Sequence, residues 1–275
     1  MTTEQPARDM RVTILGSGTC VPSRRRSSCS VLVEAAGTKL LLDAGPGTMR
    51  RLLDAGTEIF DISMIFLSHF HPDHSGELVP FLFSSKYPDQ SRRSTPLTLV
   101  AGAGFADFFN RLKAVYGHWI ELESGLLRIE EMSSQIRDRR RFGPITVESI
   151  PVEHSPESVA FRITGAGGES VVYSGDTDIS ENLVSLARGA DLFICESAFP
   201  DARKVRGHLT PSRAGEMAER AGVGQLVLTH FYPECEKADI EKECRTTYTG
   251  MLALAEDLMT LIPGSRQVAG QSTSV

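Results

Sequence analysis

The sequence is short of several features that would assign it to a familiar class. No apolar run approaches the roughly 20 residues that a membrane-spanning helix needs, so the protein is expected to stay off the membrane. The opening decapeptide MTTEQPARDM is polar and has no apolar core, which argues against a secretory signal. Basic charge is not in excess. Lysine and arginine number 29 against 35 acidic residues, and the net charge of −6 argues against general nucleic-acid coating. The basic run Arg137 to Arg141 reads as a solvated loop; a second run, Arg24 to Arg26, is taken up below. Cysteine is scarce and scattered: Cys20, Cys29, Cys195, Cys235 and Cys244 include no CxxC pair. They read as reduced thiols of a cytoplasmic protein.

The remainder is the composition of an ordinary soluble enzyme, 41% apolar and 23% charged with 24 glycines. Its length supports one sizeable domain, expected over residues 10–262 between disordered polar tails at 1–9 and 263–275. Short β-type runs alternate with helical patterns along the chain. Strands are expected at 11–16, 29–35, 38–45, 62–68, 96–102, 144–154, 158–164, 169–176, 190–197 and 224–230. Helices are expected at 47–56, 103–117, 179–189 and 210–222, the last opened by a capping Thr210 and Pro211. A helix broken by Pro80 is expected from Ser75 to about Lys86, and a closing helix from Ala238 to about Thr260. Polar residues stand just past the ends of apolar strands: Asp43, His69, His154, Asp176, Glu196 and His230. Strand ends at one sheet edge are where α/β proteins gather functional groups on a rigid support.

Of the seven histidines, three fall within six residues in IFLSHFHPDHSGELVPFLF, together with an aspartate: His69, His71, Asp73 and His74. In an extended segment His69 and His71 point the same way. Imidazole nitrogens and a carboxylate suit zinc and similar divalent ions. Four donors in six residues are too many for one tetrahedral ion that keeps an open position. They suit two ions, each completed by more distant residues. His154, Asp176 and His230 at later strand ends are candidates, whereas His118 reads as a surface or packing histidine.

This set resembles the metallo-β-lactamase fold superfamily. The motif H-x-H-x-D-H stands at His69, His71, Asp73 and His74, and the later ligands follow in the family order as His154, Asp176 and His230. The resemblance covers about Met10 to Leu261. It implies a four-layer αβ/βα sandwich, two mixed β-sheets flanked by helices, with the metals at the sheet edge. It further implies that His69, His71 and His154 hold one ion, that Asp73, His74 and His230 hold the second, and that Asp176 bridges them. Two zinc ions are expected, with manganese as an alternative.

Further segments are similar to the branch that contains RNase Z. They are LGSGTCVPSRRRSS, with Pro22, Ser23 and Arg26; LLDAGPGTMRRL, with Asp43, Gly45, Gly47 and Thr48; ICESAF, with Glu196; and GHLTP, with His208. Glu196 would orient His208, Asp43 would orient a metal-bound histidine, and Arg26 would either contact a phosphate or sit in solvent. Standard RNase Z proteins carry a long tRNA-gripping arm between the third-motif histidine and the bridging aspartate. Here His154 and Asp176 are only 22 positions apart, which leaves no room for it. The resemblance therefore implies a phosphodiesterase in which a metal-bridging hydroxide attacks phosphorus, Asp73 accepts a proton and His208 supplies one to the leaving oxygen. The alternatives are tRNA 3′-processing endoribonuclease activity and thioester or lactone hydrolysis on the same fold. A small phosphodiester or RNA substrate and a homodimeric state are expected.

Overall fold

Apolar residues that follow one another without polar interruption make strands buried on both faces, and the centre of this protein is built from them. The computed structural model describes residues 9–87 and 92–264. Two seven-stranded sheets form its middle layers. In the first, β14(Thr260–Leu261), β1(Arg11–Gly16), β2(Ser30–Ala35) and β3(Thr38–Leu42) are antiparallel neighbours, and β4(Ile62–Leu67), β5(Leu97–Gly102) and β6(Leu127–Met132) continue in parallel. In the second, β7(Asp138–Phe142), β8(Ile145–Pro151), β9(Val159–Thr164) and β10(Ser170–Tyr173) are antiparallel, and β11(Leu192–Glu196), β12(Gln225–Thr229) and β13(Met251–Leu254) run parallel to β10.

The two-residue period of a strand separates the layers. Leu40, Leu42, Met64 and Phe66 face the second sheet, and Phe66 meets Phe161 edge-on at 5.4 Å between ring centroids. Leu41, Ile65, Leu67 and Leu99 face the other way, onto α1(Thr48–Asp54), α3(Leu78–Ser84) and α4(Phe105–Tyr116). α5(Glu181–Ala187) and α6(Pro211–Ala221) bury Leu183, Leu186, Ala214, Met217 and Ala218 on the second sheet. Each fully buried Leu or Phe stabilises the sandwich by about 1.5–3 kcal/mol. This is the expected four-layer architecture.

Several local expectations are corrected. The closing segment is not one helix: α7 spans only Ile240–Arg245, and β13 and β14 follow. The run Met-Leu-Ala-Leu has good helix formers, but a free parallel edge beside β12 overrides propensity. Arg137 to Arg141 is not a loop, since residues from Asp138 form edge strand β7. Between Ser75 and Lys86 the chain makes α2(Pro72–Ser75) and then α3, which contains Pro80 in its first turn, where no intrahelical donor is lost. Thr210 occupies the N-cap of α6 without a side-chain capping bond. The expected tails lie outside the described residues except at residues 9, 263 and 264. Among the described residues no helix is long and apolar enough to cross a membrane.

One tie between distant segments bears on the site. Asp257, just before β14, accepts from the backbone N–H and hydroxyl of Ser17 at 2.9 and 2.8 Å and from the Ser27 N–H at 2.7 Å, and it pairs with Arg51 at 3.0 Å. The Ser17 carbonyl in turn accepts from the Phe231 N–H at 3.0 Å.

Candidate metal centre

The parallel strands β3, β4, β10, β11 and β12 end at one rim, where Asp43, His69, Asp176, Glu196 and His230 stand within three residues of the last strand positions. After β4 the chain stays extended through His71 and then turns into α2, with Pro72 at its first position. This puts His69 and His71 on one side of the loop and swings Asp73 and His74 round to the other.

Two groups of ligand atoms result. His69 Nε2 lies 3.0 Å from His71 Nδ1, and His154 Nε2 lies 3.2 Å from the same atom. Asp176 Oδ2 is 3.8 Å from both His69 Nε2 and His154 Nε2. In the second group His74 Nε2 and His230 Nε2 lie 3.1 and 3.4 Å from Asp176 Oδ1, and Asp73 Oδ2 is 3.9 Å from His74 Nε2. Asp176 thus offers one oxygen to each group. His74 Nε2, His230 Nε2 and Asp176 Oδ1 are buried with no hydrogen-bond partner among the described residues. Buried polar atoms are rarely left so. Two imidazole nitrogens and a carboxylate oxygen converging without an aligned hydrogen bond are the donor set a divalent cation satisfies. Cys29 also stands within reach of His74 and His230, and His208 within reach of Asp176 and His230.

The outward ring nitrogens of His69, His74, His154 and His230 are occupied, which turns a lone pair of each of these rings inward. Asp43, fully buried at φ 60°, accepts from the Ser68 N–H at 2.7 Å, the Ser68 hydroxyl at 2.8 Å, His74 Nδ1 at 2.7 Å and the Tyr173 hydroxyl at 2.7 Å. His69 Nδ1 donates to the same Ser68 hydroxyl at 3.0 Å, so Asp43 holds two histidines, one of them through Ser68. His154 Nδ1 donates to the Gly207 carbonyl at 2.8 Å, and His230 Nδ1 meets Cys29 Sγ at 3.0 Å. Such outer contacts fix tautomer and ring plane. Gly45 lets the Asp43 loop cross beneath the cluster: a Cβ there would collide with the Asp73 carbonyl.

The electrostatics follow from burial among carboxylates. Burial lowers His69 and His154, and it brings His230 down to about 4 despite Asp176. These rings are neutral near pH 7, the form that ligates. Burial also works against charge on His74, but Asp176 and Asp43 outweigh it and raise its pKa well above the ordinary value. Asp176 is held well below the usual carboxylate range by His230 and His74, against its own burial. The negative field that retains a proton on His74 equally favours a metal cation in the proton's place.

His208 stands beside these groups. Its Nδ1 is 3.1 Å from Glu196 Oε1, and its ring stacks on His230 at 5.7 Å. Glu196 is buried and also accepts from the Thr177 and Leu209 N–H groups at 2.6 and 3.1 Å. Burial pushes the Glu196 carboxyl up to about 7, opposed by its bond to His208. Burial works to lower His208, yet the bond to Glu196 and the charges of Glu196 and Asp176 raise it on balance. The backbone donors and His208 favour the carboxylate form of Glu196 against its burial, and that carboxylate favours a proton on His208.

Arg26 departs from expectation. Its guanidinium donates to Glu236 at 2.6 Å, to the Ser17 hydroxyl and Ala255 carbonyl at 2.7 Å, and lies over the Phe231 ring at 4.7 Å. The side chain is only 9% exposed and fastens the glycine-rich loop to the segment after His230. It is a structural clamp, and none of these bonds is to a candidate metal ligand. His118 packs on Trp119 in the turn after α4, apart from the cluster. Sequence reading did not single out Ser68, Tyr173, Cys29, Asp178 or Asp257. Only the position of Tyr173, three residues before Asp176 on the same strand end, offers a signal for any of them.

The family model described as the Beta-lactamase superfamily domain matches residues 38–231, a span that holds all seven ligand candidates. Ribonuclease Z of Mycobacterium sp. (strain KMS) is 30% identical, over 90% of this chain and 94% of its own length. Among solved structures, the metallo-β-lactamase fold protein YhfI from Bacillus subtilis superposes with a TM-score of 0.78 at 23% identity, covering 92% of this chain and 98% of that one. The human short-form tRNase Z superposes with a TM-score of 0.74 at 25% identity, covering 92% and 99%. Fold, ligand order and these likenesses agree, and the chain belongs to the metallo-β-lactamase fold superfamily, on its RNase Z-like branch, as a metal-dependent hydrolase.

Proposed function

We propose that the protein is a dinuclear phosphodiesterase acting on small or cyclic phosphodiesters. The observation that carries this reading is the division of Asp176, one oxygen facing His69, His71 and His154 and the other facing His74 and His230. Zinc suits the nitrogen-rich first group, and manganese is the alternative for the second, which adds the carboxylate of Asp73. When bound, two such ions supply charge neutralisation for a phosphoryl group and an activated water near neutral pH.

This chain's own residues do the rest. Asp73, at the open side of the second group, accepts the proton of the attacking water. His208 donates from Nε2 to the leaving oxygen while Glu196 holds Nδ1. The Thr177 and Leu209 N–H groups keep the Glu196 carboxylate in place, so the ring does not turn as charge builds. The protein is proposed to act in the cytoplasm as a homodimer.

A second reading, tRNA 3′-end processing, is favoured by the alignment with a relative named ribonuclease Z along 94% of that relative's length. Against it stands the segment between His154 and Asp176, which holds β9, a tight turn and β10 and no arm. Zinc-loaded protein assayed side by side on bis-p-nitrophenyl phosphate, a cyclic nucleotide panel and a precursor tRNA separates the two. Tight binding and faster cleavage of the tRNA would overturn the first reading. A folded protein that never holds more than one ion by elemental analysis would overturn the dinuclear part.

A further inference from the structure

Resting on the reading of His208 as proton donor, we infer that Asp178 is the positioning residue that places this histidine. The chain reaches His208 through residues 202–206, which are exposed throughout. After the short turn Asp201–Arg203 no helix or strand supports it until α6. Besides the Arg203–Glu234 ion pair at 3.4 Å and the local turn bonds, this gap is tied by one carboxylate next to His208. Asp178 Oδ2 accepts from Lys204 Nζ at 2.7 Å and from the Gly207 N–H at 3.0 Å, while Oδ1 accepts from the Ile179 N–H at 2.8 Å.

Gly207 is the junction. Its N–H is held by Asp178, its carbonyl receives His154 Nδ1 at 2.8 Å, and the next residue is His208. Its φ of 84° lies in the left-handed region, and a Cβ would come within 3.2 Å of His154 Nδ1. The peptide that carries His208 is therefore gripped from two sides, by a metal-ligand histidine and by a carboxylate two residues beyond Asp176. An exposed ion pair with Lys204 contributes little alone. The Gly207 N–H is the contact through which Asp178 reaches the acid. Asp178, Gly207 and His154 together line a polar cavity of about 800 Å³. Loss of the tie removes one of the two grips on Gly207, leaving the His208 peptide held by His154 on one side and, through the Leu209 N–H, by Glu196 on the other.

The test is a double-mutant cycle on the zinc-loaded full chain. D178A, H208A and the double variant are compared on bis-p-nitrophenyl phosphate and on a dinucleoside monophosphate, whose leaving alkoxide needs protonation. D178A is expected to lower kcat on the dinucleotide on the order of tenfold, with little change on the nitrophenyl ester and with zinc content retained. In the H208A background it should cost nothing further, because the two residues act as a unit. D178N, which keeps an acceptor for the Gly207 N–H, should recover part of the loss, and K204A should show little. Amide exchange at Gly207 should speed up in D178A, a readout independent of turnover. Equal loss on both substrates, additive loss in the H208A background, or unchanged Gly207 exchange overturns the proposal. Should D178A fail to fold, D178N carries the same cycle. H208A alone reports on the parent reading: if it leaves dinucleotide hydrolysis intact, that reading falls whatever Asp178 does.

Discussion

The two sheets have the same strand plan and equip the rim in different ways. Each has three antiparallel pairings followed by three parallel ones, so that β3 and β4 in the first correspond to β10 and β11 in the second. The first sheet delivers four candidate ligands in one loop after β4, with Asp43 after β3 to hold them. The second delivers one group per strand end: His154 after β8, Asp176 after β10, Glu196 at the end of β11 and His230 after β12. A concentrated set can be oriented by one buried acid, as Asp43 orients His74 and, through Ser68, His69. A dispersed set needs a separate partner for each member, and His154, His208 and His230 have Gly207, Glu196 and Cys29.

That contrast is broken most severely at Asp176, the one second-sheet residue that faces both ligand groups. Asp176→Ala should abolish stable binding of a pair of ions and lower turnover well beyond the roughly 10- to 100-fold typical of a supporting residue, as read by elemental analysis and steady-state kinetics. His208→Ala comes next. It should retain metal and lose on the order of 10² to 10⁴ in kcat on poor-leaving-group diesters, and less on p-nitrophenyl esters. Glu196→Gln should follow the same pattern more mildly, and His71→Ala should instead lose metal and damage all substrates alike.

A pH titration of metal affinity tests the first-sheet set. Because Asp176 and Asp43 raise the His74 pKa, a cation must displace a proton there at any pH below that raised value. Affinity should therefore climb about tenfold per pH unit for that one proton and level off above the His74 pKa. The lowered His69, His154 and His230 add further proton release only towards acid. Asp43→Asn removes one of the raising charges, so the rise should move to lower pH while affinity drops roughly 10- to 100-fold, measurable by competition with a chelating dye. The smallest effect belongs to Arg26→Ala. Loss of its bonds to Glu236, Ser17 and Ala255 should cost about 1–3 kcal/mol of stability, seen as a lower thermal midpoint, with KM unchanged.

The same contrast explains what could be read without coordinates. The loop after β4 is legible alone because its ligands are neighbours in sequence. The dispersed histidines became legible only beside it, through their places at strand ends. Partners such as Tyr173, Cys29 and Asp178 lie far in sequence from what they hold, and no periodicity links Tyr173 to Asp43 across 130 positions. The strands β13 and β14 were hidden because Ala, Leu, Glu and Met favour helix locally, whereas the open edges of β12 and β1 decide the outcome. The burial of Arg26 was hidden for a related reason: a charged residue in a loop reads as exposed until its acid, 210 positions away, is known.

The fastening of β1 by the segment around Asp257 bears on how the chain matures. Ile14 exchanges backbone bonds with Leu258 and Met259, and Ser17, held by Asp257, supports the residue after His230. During synthesis the first strand must wait with one edge unpaired until residues 256–261 have emerged. High contact order of this kind slows folding and prolongs exposure of an apolar edge. The dense ligand loop after β4 is made early, but its counterpart at His230 is fastened last. The rim around His230 is thus fastened late in the life of the nascent chain, and a stall in translation shortly before residue 256 would leave the edge of β1 unpaired and aggregation-prone.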